Sequence, residues 1–206
     1  MVKRGRPKSD EKREQILDAA AELFAGQGYA NTSLETVAIA AGVSKQTIYS
    51  HFASKQEVLR EGVKRRCESG KITPGQLDTS IPPEQFLSLF ANSFVTTVMN
   101  ESALAMYRLC LSEGEKHPEV GVSFFESGPK MVIEALAEYL GAAASRGELA
   151  VENPQLAASQ FLFMVKGMPI DTALLNLPGL PFEFSTGDYI EQCCAMFLRA
   201  YAELPE

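Results

Sequence analysis

The sequence predicts an all-α protein in which a small N-terminal helix-turn-helix module precedes a larger helical bundle. Apolar residues recur at the three- and four-residue spacing of a helix face, Gly and Pro interrupt them at helix-length intervals, and no stretch alternates convincingly with period two. The chain has 206 residues, 46% hydrophobic and 22% charged, which is a globular balance and enough length for one medium domain or for a small domain joined to a larger one.

Residues 1–8 are basic, contain Gly5 and Pro7, and read as a flexible arm. Ser9 offers an N-cap to the first helix, with Asp10 and Glu11 favourable in its first turn. Ile16, Leu17, Ala20, Leu23 and Phe24 form its apolar stripe, and Gly26 and Gly28 are its stops. Thr32 and Glu35 have the T-x-x-E spacing of a capping box, opening a short helix with Leu34, Val37, Ala38 and Ala41 inward and Gly42 at its end. Ser44 caps a third helix that turns Ile48 and Phe52 inward. Two short helices joined by Gly42-Val43-Ser44 make a helix-turn-helix. Ser54 then caps a fourth helix with Val58, Leu59, Val63 and Cys67 on its buried side.

Gly70, Pro74, Gly75, Pro82 and Pro83 mark a loop between modules. Further helices are expected near 83–100, 103–116, 119–145, 154–168 and 187–203, with Pro118, Pro154 and Pro169 near ends and Pro129 either kinking or dividing the third. The expected division is therefore an arm at 1–8, a module at 9–66 and a helical domain at 67–206.

Charge follows this division. The chain carries a net −7, yet residues 1–66 hold 12 Lys+Arg against 8 Asp+Glu, and the remainder holds 7 against 18. A basic module on an acidic body suits nucleic acid despite the overall sign. Cys67, Cys110, Cys193 and Cys194 lack C-x-x-C spacing, and His51 and His117 add little, so no metal or cofactor is expected and the thiols read as small buried apolar groups. A nucleophile elbow, a Gly-rich phosphate loop and a metal-ligand cluster are all missing from the sequence, which argues against an enzyme. No apolar run reaches the roughly 20 residues that span a bilayer, and the expected location is the cytoplasm, on the nucleoid when DNA is bound.

A third helix entering the major groove must turn polar side chains outward while Ile48 and Phe52 hold it to the core. Lys45, Gln46 and Tyr49 meet that requirement; Gln46 suits adenine, Lys45 a guanine or a phosphate, and the Thr47 methyl a thymine. Phosphate contacts are expected from Thr32 or Ser33, Tyr49, His51 and Lys55, with Thr32 equally readable as a cap alone and His51 as a packing residue, and Ser44 is counted with the DNA-binding residues. Arg4-Gly5-Arg6-Pro7 resembles an AT-hook core, so Arg4 and Arg6 are candidates for a narrow minor groove, against the alternative of a solvated tail.

Ile16 to Phe24, Gly28-Tyr29, Thr32-Ser33, Val37 to Ser44 and Thr47 to Lys55 together resemble the tetracycline-repressor (TetR) family of bacterial one-component regulators. Tyr107 to Glu115, Pro118, Phe124-Phe125, Gly128-Pro129, Leu140 and Arg146 to Leu149 are similar to the AefR-like branch. The resemblance implies a homodimer on a palindromic operator, most simply a repressor released by a small, largely apolar inducer. Tyr49, His51 and Lys55 match its backbone-contacting positions, and Lys45, Gln46 and Thr47 its operator-dependent ones. Such families dimerise through their last two long helices, where Phe161, Val165, Met168, Ile190, Cys193, Cys194, Phe197 and Tyr201 form broad apolar faces. A pocket would draw on Phe90, Phe94, Met106, Tyr107, Phe124, Met131 and Met164, each of which also reads as plain core. The alternative is a helical ligand-binding or scaffolding protein with a degenerate DNA module.

Overall fold

A computed structural model describes residues 8–69, 73, 75, 77–179 and 182–202, and among them every regular element is helical. The helices are α1 (Lys8–Gln27), α2 (Leu34–Ala40), α3 (Lys45–His51), α4 (Lys55–Ser69), α5 (Pro83–Val98), α6 (Glu101–Glu113), α7 (Pro118–Ser127), α8 (Pro129–Ser145), α9 (Pro154–Leu174) and α10 (Thr186–Ala200).

The chain forms two compact units. The first runs to Arg65 and takes in Ala105–Ser127 as well. The second holds Arg66–Leu104 and everything described from Gly128 on. The chain first passes from one unit to the other between Arg65 and Arg66, and α6 and α7 return to the N-terminal unit, which a single division between 66 and 67 does not include.

In the first unit Ile16, Leu17, Ala20 and Phe24 of α1 are buried with Val37, Ile48, Phe52, Val58 and Leu59, and Leu109 and Val120 complete the core from α6 and α7. That contribution explains the return: the short α2 and α3 offer too little apolar surface to close a core alone. Ion pairs tie α4 to α1, from Arg13 to Glu61 and from Arg65 to Glu14 at 3.0 Å and to Asp18 at 2.7 Å. Gln56 donates to the Ser123 hydroxyl at 3.0 Å, joining α4 to α7.

Helix limits depart from expectation where backbone chemistry differs from residue statistics. α1 already contains Ser9, so Ser9 is not its N-cap, and Gly26 lies within the helix. The stop is Gly28 alone, whose φ of +86° costs a glycine little and whose N–H reaches the Phe24 carbonyl at 3.2 Å. The 119–145 segment is two helices divided at Gly128-Pro129, which is the dividing alternative for Pro129. α9 continues through Pro169 to Leu174 instead of ending there. Pro169 has no N–H for the preceding turn, and the Tyr189 hydroxyl donates to the Met164 carbonyl at 2.9 Å while Thr172 bonds the Met168 and Pro169 carbonyls at 3.0 Å.

The second unit packs α8 on α9 and sets α10 against α5 and α9. Phe86 stacks on Tyr139 with ring centres 3.4 Å apart, and the buried Tyr139 hydroxyl donates to the Ile81 carbonyl at 2.7 Å. Phe161 meets Phe197 edge-on at 4.9 Å. Cys67, Cys193 and Cys194 are buried, as expected of small apolar groups, and Cys110 is half-buried in the first unit. Burial pushes the Cys67 and Cys194 thiols up to about 11 and Cys110 to about 12, which keeps them protonated.

Candidate nucleic-acid interface

The geometry of α2 and α3 starts with the turn between them. Gly42, at φ +65°, follows the α2 C-cap, its N–H bonding the Ile39 carbonyl at 3.1 Å while Val43 N–H bonds the Ala38 carbonyl at 2.9 Å. This paired closure fixes the direction in which the chain leaves α2. Ser44 then caps α3, accepting from Thr47 N–H at 3.0 Å. Leu34, Val37, Ala38, Ile48 and Phe52 are buried beneath, so α3 cannot roll without exposing Ile48 and Phe52.

Lys45, Gln46, Tyr49 and Ser50 are left exposed along α3. Thr47 is half-buried and its hydroxyl is 2.8 Å from that of Ser44. His51 is half-buried beside Phe52, with ring centres 6.3 Å apart. Gln46, with one acceptor and two donors at its tip, is the uncharged group suited to an adenine edge. Arg4 and Arg6 lie outside the described residues.

Three expected roles change. The α2 N-cap is Ser33, which accepts from Thr36 N–H at 3.1 Å, and not Thr32. Thr32 is only 2% exposed; its hydroxyl donates to the Gly28 carbonyl at 2.8 Å and accepts from Gln27 at 3.2 Å, so it is neither a cap nor a phosphate contact. The T-x-x-E spacing misled because Ser33 is one residue nearer the helix and competes for the same role.

Glu35 leaves the cap altogether. Its Oε1 accepts from Lys45 Nζ at 2.9 Å and from the Tyr49 hydroxyl at 2.9 Å, bridging α2 to the exposed face of α3. The hydrogen bond from Lys45 is the main reason that the Glu35 carboxyl is held down to about 2, and the same bond raises Lys45.

Lys55 is the third. Its ammonium donates to the carbonyls of Tyr29, Ala30 and Thr32 at 2.8, 3.3 and 3.2 Å and lies 4.3 Å from the Tyr29 ring centre. A group whose protons are so engaged anchors the loop between α1 and α2, a role that the expectation of a direct phosphate contact did not include. Sequence reading also missed Ile39, which is 82% exposed on α2. The signal was present, since the buried positions Leu34, Val37 and Ala38 leave residue 39 on the opposite face.

The second set of candidates separates. Phe161, Val165, Ile190, Cys193, Cys194 and Phe197 are buried inside the chain's own core, with Met168 and Tyr201 half-buried, so this set does not form an outward dimer face. The apolar residues that α9 and α10 do expose are Leu156, Phe163 and Met196. The pocket candidates do not gather in one unit: Phe90, Phe94, Met131 and Met164 belong to the second, and Met106, Tyr107 and Phe124 to the first. Phe90 and Phe94 are buried core residues, with Met164 packed against the same core. Tyr107 meets Phe124 edge-on at 5.5 Å, and Met106 packs on the core of the first unit.

Residues 16–61 match the family model for bacterial regulatory proteins of the tetR family, and residues 85–203 match that for the C-terminal domain of AefR-like transcriptional repressors. The HTH-type transcriptional regulator AcrR of Shigella flexneri is 41% identical over 61 residues, 30% of this chain and 28% of its own. The HTH-type transcriptional activator FasR of Mycolicibacterium smegmatis is 40% identical over 60 residues, 29% of this chain and 27% of its own. These alignments span less than a third of the curated relatives' length. The solved structure of the flavonoid-responsive regulator FrrA is 31% identical, with a TM-score of 0.78 over 95% of this chain and 100% of its own. A TetR transcriptional regulator from Agrobacterium tumefaciens, at 19% identity and a TM-score of 0.72 over 92% of this chain and 94% of its own, supports the fold alone. With one family model spanning more than half of the sequence and the tetR-family model matching the N-terminal residues that hold the helix-turn-helix, the chain belongs to the TetR family of bacterial regulatory proteins.

Proposed function

We propose that the chain binds a palindromic duplex operator as a homodimer, with residues 9–66 as DNA-binding module and 67–206 as ligand-binding and dimerisation domain, and that it represses transcription until a small, largely apolar inducer releases it. The observation that carries this reading is α3: Lys45, Gln46 and Tyr49 are exposed while Ile48 and Phe52 are buried, which is what a groove-reading helix requires. Ser33 and Ser44 lie at the starts of α2 and α3, beside that face. Two copies would pair through the outer sides of α9 and α10, where Phe163 is 62% and Met196 53% exposed. Repression rests on the AefR-like likeness and not on the helix-turn-helix, since FasR is an activator. Small-molecule response is favoured by the likeness to a flavonoid-responsive regulator over nearly the whole chain. Among the described residues no helix is long and apolar enough to cross a membrane, which fits a cytoplasmic site of action.

Selection from a random duplex pool tests the reading. The expected product is an inverted repeat whose half-site centres lie about 34–36 Å apart or a multiple of it. A pool that emerges without enrichment at low salt overturns DNA recognition and favours a helical binding or scaffolding protein. Titrating the selected duplex complex with a flavonoid panel tests release; a flavonoid that binds the protein must weaken DNA by the factor by which DNA weakens the flavonoid.

A further inference from the structure

The exposed face of α3 is not electrostatically simple. One carboxylate oxygen of Glu35 holds both the Lys45 ammonium and the Tyr49 phenol, and Lys45 Nζ is also 5.8 Å from the Tyr49 ring centre. Lys45 and Tyr49 are exposed and Glu35 is half-buried, so the two donors are open to exchange the carboxylate for a phosphate. A carboxylate in this position offers Lys45 and Tyr49 the acceptor that a phosphate oxygen would offer.

We propose that Glu35 is a positioning residue for DNA discrimination, an internal stand-in for phosphate that holds Lys45 and Tyr49 in one arrangement and withholds them from duplexes that α3 does not read. The inference rests on the DNA-binding reading above. Two effects follow, and they act unequally on the two modes of binding. Neutralising Lys45 locally weakens attraction to any backbone, and that attraction supplies essentially all of non-specific affinity. Fixing the orientation of Lys45 and Tyr49 lowers the ordering cost only where the helix docks in register, because loose complexes do not use one geometry. The charge of the carboxylate persists across working pH, since its partners hold the acid well below the usual carboxylate range.

The full-length chain with Glu35→Gln is the test, measured against a mixed-sequence duplex and against the duplex that the unaltered chain selects, over a salt series. Glu35→Gln keeps an acceptor for Tyr49 and removes the charge. On mixed-sequence DNA the slope of log affinity against log salt steepens by about 0.9, the share of one added phosphate contact, and affinity near 0.1 M salt rises roughly eightfold. On the selected duplex the gain is smaller, so the ratio of the two affinities narrows. Glu22→Gln, an equal charge loss at an exposed site of α1, controls for net charge and leaves the slope unchanged. In a Lys45→Met, Tyr49→Phe background the Glu35→Gln effect disappears. An unchanged salt slope, or equal shifts on both duplexes, overturns the role of Glu35. A parent chain that selects no duplex overturns the DNA-binding reading itself, a separate result.

Discussion

The two compact units differ in the contacts that stand out in each. In the first, ionic side chains lie near the surface and are held by specific partners: Lys55 by three carbonyls, Arg65 by two carboxylates, Glu35 by Lys45 and Tyr49. In the second, the prominent contacts fill volume, with aromatic rings stacked between α5 and α8 and meeting edge-on between α9 and α10, and thiols that behave as small hydrophobes. The difference teaches where substitutions will separate binding from folding. A surface held by directional contacts tolerates changes that alter its charge, whereas a packed interior responds to lost volume first.

The largest effect is expected in the interior. Phe161→Ala empties a fully buried site against Phe197 and costs about 3–5 kcal/mol in a denaturant titration, whatever DNA is present. Loss of DNA selection without loss of stability would instead return Phe161 to an outward, functional role.

Lys55→Met comes next, since it leaves the Tyr29, Ala30 and Thr32 carbonyls without their donor. A loss of about 1–3 kcal/mol is expected in the same titration, accompanied by weaker DNA binding, because the loop it anchors carries Ser33. A chain of full stability whose salt slope alone falls by about one would make Lys55 a direct phosphate contact after all.

Ser44→Ala removes the α3 cap and should cost about 1 kcal/mol, read as a lowered melting temperature. Gln46→Ala is the smallest in stability, within about 0.5 kcal/mol, because the residue is exposed on α3. Its consequence appears in binding, as about 1–3 kcal/mol less discrimination at one base pair of the selected duplex. A uniform loss across all sequences would instead mark Gln46 as a backbone contact.

The site was legible where short-range chemistry decides. Ile48 and Phe52 are four residues apart and Gly42 precedes Ser44, so the buried and exposed sides of α3 follow from spacing and capping alone. Glu35 was misassigned for the same reason, because its spacing from Thr32 matches a local motif while its partners lie on the next helix. In α9 and α10 an apolar residue is equally suited to a protomer core, a pocket wall or a partner, and hydrophobicity has no direction to separate them.

By itself the amino-acid order determined helix rather than strand, the Gly42 turn and the polar row of α3, since these depend on residues within one or two turns of each other. Tertiary structure alone decided that α6 and α7 complete the N-terminal core, that Pro169 sits inside α9, and that Lys55 and Glu35 are occupied by partners from neighbouring elements. Those outcomes depend on which surfaces meet through space, where burial and hydrogen-bond satisfaction are settled by packing and not by sequence separation.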